Sequence, residues 1–186
     1  MSKIILVTGG ARSGKSSFSE KLCKIKKGKV AYIATSIPFD EEMKDRVKKH
    51  RESRPKNWTT YEMYKDIHRY ISEISKLNDI ALLDCVTLLV NNLMFEFDID
   101  WDNCLREKID TVENYIQNQI DKLIKEIRNT DMYFVFVTNE LGMGIVPENR
   151  LSRIYRDIVG RVNQKIASLS DEVYLVVSGI PFKIKG

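Results

Sequence analysis

Cysteine is sparse in this chain. The three present, Cys23, Cys85 and Cys104, form no CxxC pair and lack zinc-ligand spacing. An odd, scattered set of this kind excludes a disulfide scaffold and a cysteine-built metal site, and points to reduced thiols in a cytosol. Four prolines and nine glycines are too thinly spread to make a Gly/Ser/Pro-rich linker, and no repeat or low-complexity tract interrupts the 186 residues. One compact domain over 1–186 is the expectation. No apolar run approaches membrane-spanning length. The N-terminal run Ile4 to Val7 is too short for a signal-peptide core and leads directly into Thr8-Gly9-Gly10. Charge imbalance is also small. Thirty Lys and Arg against 26 Asp and Glu leave +4, too little to imply nucleic acid and compatible with anionic ligands.

Short apolar runs alternate with longer helical patterns. Lys3–Thr8, Val30–Ala34, Ile80–Asp84, Met132–Asn139 and Val173–Val177 are nearly unbroken stretches of Ile, Leu, Val, Phe and Tyr, as in strands covered on both faces of a parallel sheet. Between them, 3.6-residue periodicity predicts helices over Lys15–Lys26, Glu41–Ser53, Met63–Ser75, Val86–Phe95, Cys104–Asn129 and Asn149–Ser170. Asp40 suits the N-cap of the second of these. Phe95 to Asp102 reads as a loop, and Phe182 to Lys185 as an added edge strand. Alternation of this order defines an α/β three-layer sandwich with a mostly parallel central sheet.

Gly9-Gly10-Ala11-Arg12-Ser13-Gly14-Lys15-Ser16 satisfies GxxxxGK[ST] in full, between a strand and a helix. Such a loop curls so that successive N–H groups face phosphate oxygens at the N-terminus of the following helix. Lys15 is expected to reach the β- and γ-phosphates, and the Ser16 hydroxyl to ligate Mg²⁺. Four apolar residues followed by Asp84 make a strand-end carboxylate. It could hold Mg²⁺ through water, accept hydrogen bonds from the nucleotide, or cap the helix from Val86. The Asn-Lys-x-Asp base-reading motif of signalling GTPases is absent from the sequence. The DxxG match Asp157 to Gly160 falls inside an amphipathic helix rather than after a strand.

Two histidines are present, His50 and His68. Met43, Val47, His50 and Arg54 recur at i, i+4, i+7 and i+11 and share one helix face, which turns His50 toward the body of the protein. Lys48, Lys49, Arg51 and Arg54 surround it in sequence. Cations disfavour imidazolium, and they can hold phosphate oxygens. The residues alone fit a phosphorus-attacking nucleophile and a half-buried structural histidine alike. His68 lies off the apolar stripe Ile67, Ile71, Ile74 and reads as a surface residue.

At this point a resemblance can be stated. Ile5 to Ser16, Tyr32-Ile33-Ala34-Thr35-Ser36, His50 to Pro55 with Trp58, Thr138 to Arg150, Gly160 to Gln164 and Val176 to Ile180 together resemble the bifunctional adenosylcobinamide kinase/adenosylcobinamide-phosphate guanylyltransferase family of cobalamin biosynthesis. The match follows the family's order along nearly the whole chain. It implies a RecA-like P-loop NTPase fold, a homotrimer, and two reactions. ATP or GTP phosphorylates the hydroxyl of the aminopropanol arm of adenosylcobinamide. GTP then guanylylates a histidine, and the cobinamide phosphate takes the GMP to give adenosylcobinamide-GDP. His50 falls at the nucleophile position. Ala34, Thr35, Ser36, Arg51, Glu52, Ser53, Arg54, Glu62 and Asp84 fall where the family contacts guanine nucleotide. Some members carry Glu at the position of Asp84. Glu140, Glu148 and Arg150 are available for cobinamide amides, or belong to a structural strand-to-helix turn. Two other functions fit parts of the pattern: a single-activity P-loop kinase for a small metabolite, and a RecA-like nucleic-acid-binding ATPase module. The second would need an extended, aromatic-interleaved basic stripe, whereas the basic residues here gather around His50.

Overall fold

The computed structural model describes residues 1–37 and 55–186. The helix expected over Glu41–Ser53 and its cap Asp40 lie outside the described residues. Seven strands form one sheet: β1 Lys3–Thr8, β2 Val30–Ala34, β3 Thr59–Glu62, β4 Ile80–Asp84, β5 Tyr133–Val137, β6 Glu172–Val177 and β7 Ile180–Lys185. Their order is β3-β2-β4-β5-β1-β6-β7. Every pairing is parallel except that of β6 with β7.

Alternation along the strands sorts the apolar residues into two layers. Ile4, Leu6, Ala81 and Leu83 join one buried cluster, while Ile5, Val7, Ile80 and Leu82 join the other. This is why β1 and β4 read as continuous hydrophobic runs: each residue has a core to enter, whichever way it points. Helix α1 (Lys15–Lys26) contributes the buried Cys23 to the second cluster. Helices α2 (Ile71–Leu77), α3 (Val86–Met94), α4 (Arg106–Arg128) and α5 (Arg150–Leu169) cover the first. Full burial of each Ile or Leu contributes about 2 kcal/mol. The Asn149 side chain caps α5 by accepting from the Ser152 N–H at 2.7 Å.

Two segments depart from the sequence expectation. Met63–Ser75 is not one helix. A 3₁₀ turn over Ile67–Tyr70 runs into α2, and the left-handed backbone of Asp66 (φ 50°) precedes it. The apolar stripe is nonetheless buried as expected, with Ile67, Ile71 and Ile74 in the core. His68 is half-buried rather than exposed. Strand β3 escapes the pattern because it is an edge strand with partly exposed Thr, Tyr and Glu. The expected C-terminal edge strand is present and begins earlier, at Ile180.

Candidate active site

Parallel strands bring their C-terminal ends to one edge of the sheet. The register aligns Glu62, Ala34, Asp84, Val137 and Val7 in a single row across five strands. Three of these were expected from sequence to touch nucleotide, and at about 4.8 Å per strand the row spans roughly 19 Å. The glycine-rich loop leaves the β1 end of this row.

Gly14, the residue before α1, has φ 91°, a left-handed geometry suited to glycine. At Gly9 the constraint is space. A Cβ there would lie 2.5 Å from the Val176 carbonyl oxygen and 2.7 Å from Ser13 Oγ. The loop is braced from both sides. Glu140 N–H donates to the Gly9 carbonyl at 3.0 Å, and Gly179 N–H donates to the Ser13 carbonyl at 2.8 Å. Gly179 belongs to the two-residue β6–β7 turn, where Ser178 (φ 50°) and Gly179 (φ 82°) both take the positive φ of a tight hairpin. Lys15, the first residue of α1, is buried, with Nζ 3.1 Å from the Gly10 carbonyl. Thr8 Oγ1 and Ser13 Oγ are buried without a hydrogen-bond partner among the described residues. Buried hydroxyls ordinarily find partners, and these two are suited to a phosphate bound in the loop.

Asp84 ends β4, half-buried. Tyr32 OH donates to its Oδ2 at 2.8 Å, and the Tyr32 ring stacks on Trp58 with centroids 6.4 Å apart. Asp84 does not cap α3: the N-cap position is Cys85, and no side-chain cap bond forms there. The carboxylate is therefore aimed from β2 and remains at the rim of the sheet. Asp84→Asn keeps the Tyr32 contact and the fold while removing the charge. It should raise the divalent-cation or GTP requirement about tenfold and shift Tm by no more than about 2 °C. A titration of activity against Mg²⁺ and GTP, paired with a melting curve, checks this.

Ala34, Thr35, Ser36 and Glu62 meet around one groove of about 390 Å³ beyond Asp84. Thr35 is fully buried and already engaged. Its Oγ1 donates to the Cys85 carbonyl and accepts from the Cys85 N–H, both at 2.8 Å, while Asn92 Nδ2 donates to its carbonyl at 2.6 Å. Thr35 thus pins the end of β2 to the end of β4 rather than offering its hydroxyl to a ligand. His50, Arg51, Glu52, Ser53 and Arg54 lie outside the described residues. Cys85 is no substitute nucleophile. Burial, reinforced by the Asp84 charge, pushes its thiol pKa up and keeps it protonated.

Sequence reasoning missed a set of polar residues beneath the row. Cys85 Sγ contacts Thr87 Oγ1 at 2.9 Å, Asn139 Nδ2 donates to Thr87 Oγ1 at 2.9 Å, and Tyr155 OH donates to the Thr87 carbonyl at 2.9 Å. Asn163 Nδ2 then donates to the Asn139 carbonyl, and its Oδ1 accepts from Thr138 Oγ1. These bonds fix the segment whose Glu140 braces Gly9. The available signal was the polar pair Thr138-Asn139 directly after a fully apolar strand. Arg150 resolves as a strap. It donates to the carbonyls of Trp101, Asp102 and Cys104, tying the start of α5 to the segment before α4.

A phosphate loop at the end of a central parallel strand, with a strand-end carboxylate two strands away, defines the P-loop nucleotide-binding class. The family model described as cobinamide kinase / cobinamide phosphate guanyltransferase matches residues 5–184, and the chain belongs to that family. It is 46% identical to the bifunctional adenosylcobalamin biosynthesis protein CobU of Escherichia coli, over 98% of this chain and 99% of that protein. The CobU protein of Salmonella typhimurium is 46% identical over the same shares. The bifunctional adenosylcobalamin biosynthesis protein CobP of Pseudomonas aeruginosa is 33% identical over 97% of this chain and 96% of that protein.

Proposed function

We propose that this chain phosphorylates adenosylcobinamide with ATP or GTP and then transfers GMP from GTP to the product, giving adenosylcobinamide-GDP. The observation that carries this reading is the complete phosphate loop, Gly9 to Ser16, braced by Gly179 and Glu140 in a chain matched by the family over 5–184.

In the kinase step the substrate hydroxyl attacks the γ-phosphorus and the nucleoside diphosphate leaves. Lys15 and the loop N–H groups offset the charge on the β- and γ-oxygens. In the transfer step a His50 nitrogen attacks the α-phosphorus and pyrophosphate leaves. A phosphate oxygen of cobinamide phosphate then displaces His50 and forms the new P–O–P bond. The groove lined by Ala34, Ser36 and Glu62 takes the guanine nucleotide, and Arg51, Glu52, Ser53 and Arg54 are further nucleotide contacts on the strength of the family resemblance alone. Mg²⁺ would be held by Ser16 and Asp84, whose hydroxyl and carboxylate oxygens suit a hard cation. No cluster of three or more His, Cys, Asp or Glu stands ready for a metal among the described residues, so nucleotide oxygens and water would complete its shell. The ion supplies neutralisation of phosphate charge. Conversion of adenosylcobinamide to its phosphate with γ-labelled nucleotide, followed by incorporation of label from α-labelled GTP, tests both activities.

Assembly of several copies fits the surface, and on the family resemblance the assembly is a homotrimer in the cytoplasm. Ile180, Phe182 and Ile184 recur at alternate positions of β7 and are more than half exposed, and Met143 and Ile145 stand out from the loop after β5. Contiguous apolar area of this kind marks an interaction face. No helix among the described residues is long and apolar enough to cross a membrane. Sedimentation equilibrium should give three copies for the wild type and one for Phe182→Glu.

A further inference from the structure

A second cavity, of about 620 Å³, opens on the α5 side of the phosphate loop. Leu6 and Val173 line it from the sheet, Glu140 and Gly142 from the loop after β5, and Asp157, Gly160 and Gln164 from α5, while Ile184, of the apolar face assigned above to contact between copies, stands at its border. The three α5 residues follow i, i+3, i+7 spacing, which places them on one helix face. Its size is that of a small-molecule site.

Three features point to a ligand. Thr8 and Glu140 border both this cavity and the phosphate loop: Thr8 directly precedes Gly9, and Glu140 N–H holds the Gly9 carbonyl. The groove at Ala34 and Glu62 lies at the other end of the row, with three strand spacings, roughly 14 Å, between β2 and β1. The cavity thus adjoins the phosphate loop directly, and the groove is a separate recess with no loop residue in its lining. The lining is also mixed. Apolar residues from the sheet meet carboxylate, carboxamide and guanidinium groups from α5 and the loop, a combination that can both donate to and accept from neutral amides on an apolar ring. Finally, Gly160 sits inside a 20-residue helix, where glycine weakens the helix relative to any ordinary residue. A Cβ added there meets nothing within 4 Å. The protein leaves that space open without using it for its own packing.

We infer that this cavity is the docking site of the phosphoryl acceptor, an apolar macrocycle fringed with carboxamides whose hydroxyl arm reaches the phosphate loop past Thr8 and Glu140. The inference rests on the activity proposed above and extends it to the substrate side of the reaction. Walls of α5 orient the amide fringe, and the absent side chain at Gly160 admits the ring edge.

Gly160→Leu tests this by filling the space with a good helix former. Titration calorimetry with adenosylcobinamide should show Kd raised about tenfold or more over wild type, the scale of a lost pocket contact. KM for nucleotide should stay within about twofold, with the rate of protein labelling from α-labelled GTP in the absence of acceptor and the sedimentation coefficient both unchanged. An unchanged Kd overturns the assignment. So does a change in sedimentation that accompanies the loss of binding, because the cavity then belongs to contact between copies. Should Gly160→Leu fail to fold, Gln164→Leu decides by the same readouts, a raised Kd supporting the site and an unchanged one overturning it. Wild-type protein that binds the corrinoid without phosphorylating it would refute the proposed activity while leaving the cavity to be judged by the Kd difference. Wild-type protein that does not bind it refutes both.

Discussion

His50→Ala is expected to abolish guanylyl transfer while leaving much of the kinase activity, so that adenosylcobinamide phosphate accumulates. A nucleophile must present an unprotonated nitrogen, and an unperturbed histidine, with a pKa of about 6.5, is largely neutral at pH 7. Alanine removes the attacking atom, and with it the route through a protein-bound GMP. The kinase step requires no protein nucleophile, because the acceptor hydroxyl attacks the γ-phosphorus directly. The chain holds one other histidine, His68. It lies in the 3₁₀ turn before α2, half-buried, with its Nδ1 lacking a partner among the described residues. That turn follows β3 and lies away from the phosphate loop in the fold, so His68→Ala should spare both steps. Separate assays of phosphate formation and GMP transfer on the two variants provide the check. Equal loss of both activities in His50→Ala would show that the histidine holds phosphates generally rather than attacking one.

Lys15→Ala should lower the kinase rate on the order of 10²- to 10³-fold. Lys15 opens α1 directly after Gly14, and its ammonium rests on the Gly10 carbonyl at 3.1 Å. It is therefore held over the same loop that receives the phosphates. Methyl cannot replace a mobile positive charge at the β- and γ-oxygens, where charge grows in the transition state. Because the loop backbone is fixed independently through Gly179 and Glu140, the fold should survive, and circular dichroism and melting should match wild type. If one loop serves both reactions, protein labelling from α-labelled GTP falls as well. Kinase activity within about twofold of wild type would refute the loop assignment.

Much of this architecture was legible in the amino-acid sequence, for identifiable reasons. Strands β1, β2, β4 and β5 are buried on both faces, so unbroken apolar runs announce them. Glycines 9 and 14 are required by a close carbonyl and a positive φ, and such requirements leave a motif. Strand β3 was illegible because an edge strand with solvent on one side carries no such run. The apolar stripe of Ile67, Ile71 and Ile74 was read correctly as buried, but periodicity cannot register the left-handed Asp66 that shortens the helix. Roles set by partners distant in sequence were the hardest to foresee. Thr35 was expected from the family resemblance to contact nucleotide, yet its hydroxyl is occupied by Cys85, 50 residues away. Arg150 straps carbonyls 46 to 49 residues earlier. Tyr32 aims Asp84 across 52 residues. Nothing in local pattern reveals such pairs, because they depend on which strands become neighbours.

The central claim is that one chain carries GMP covalently between GTP and a corrinoid phosphate. It is tested most directly by incubating the wild-type protein with α-labelled GTP and no acceptor, then adding adenosylcobinamide phosphate. A phosphorus–nitrogen bond to histidine hydrolyses in acid and survives base. The protein should therefore acquire a base-stable, acid-labile label that passes to adenosylcobinamide-GDP on chase. A wild-type protein that forms labelled adenosylcobinamide-GDP without ever becoming labelled itself would contradict the account.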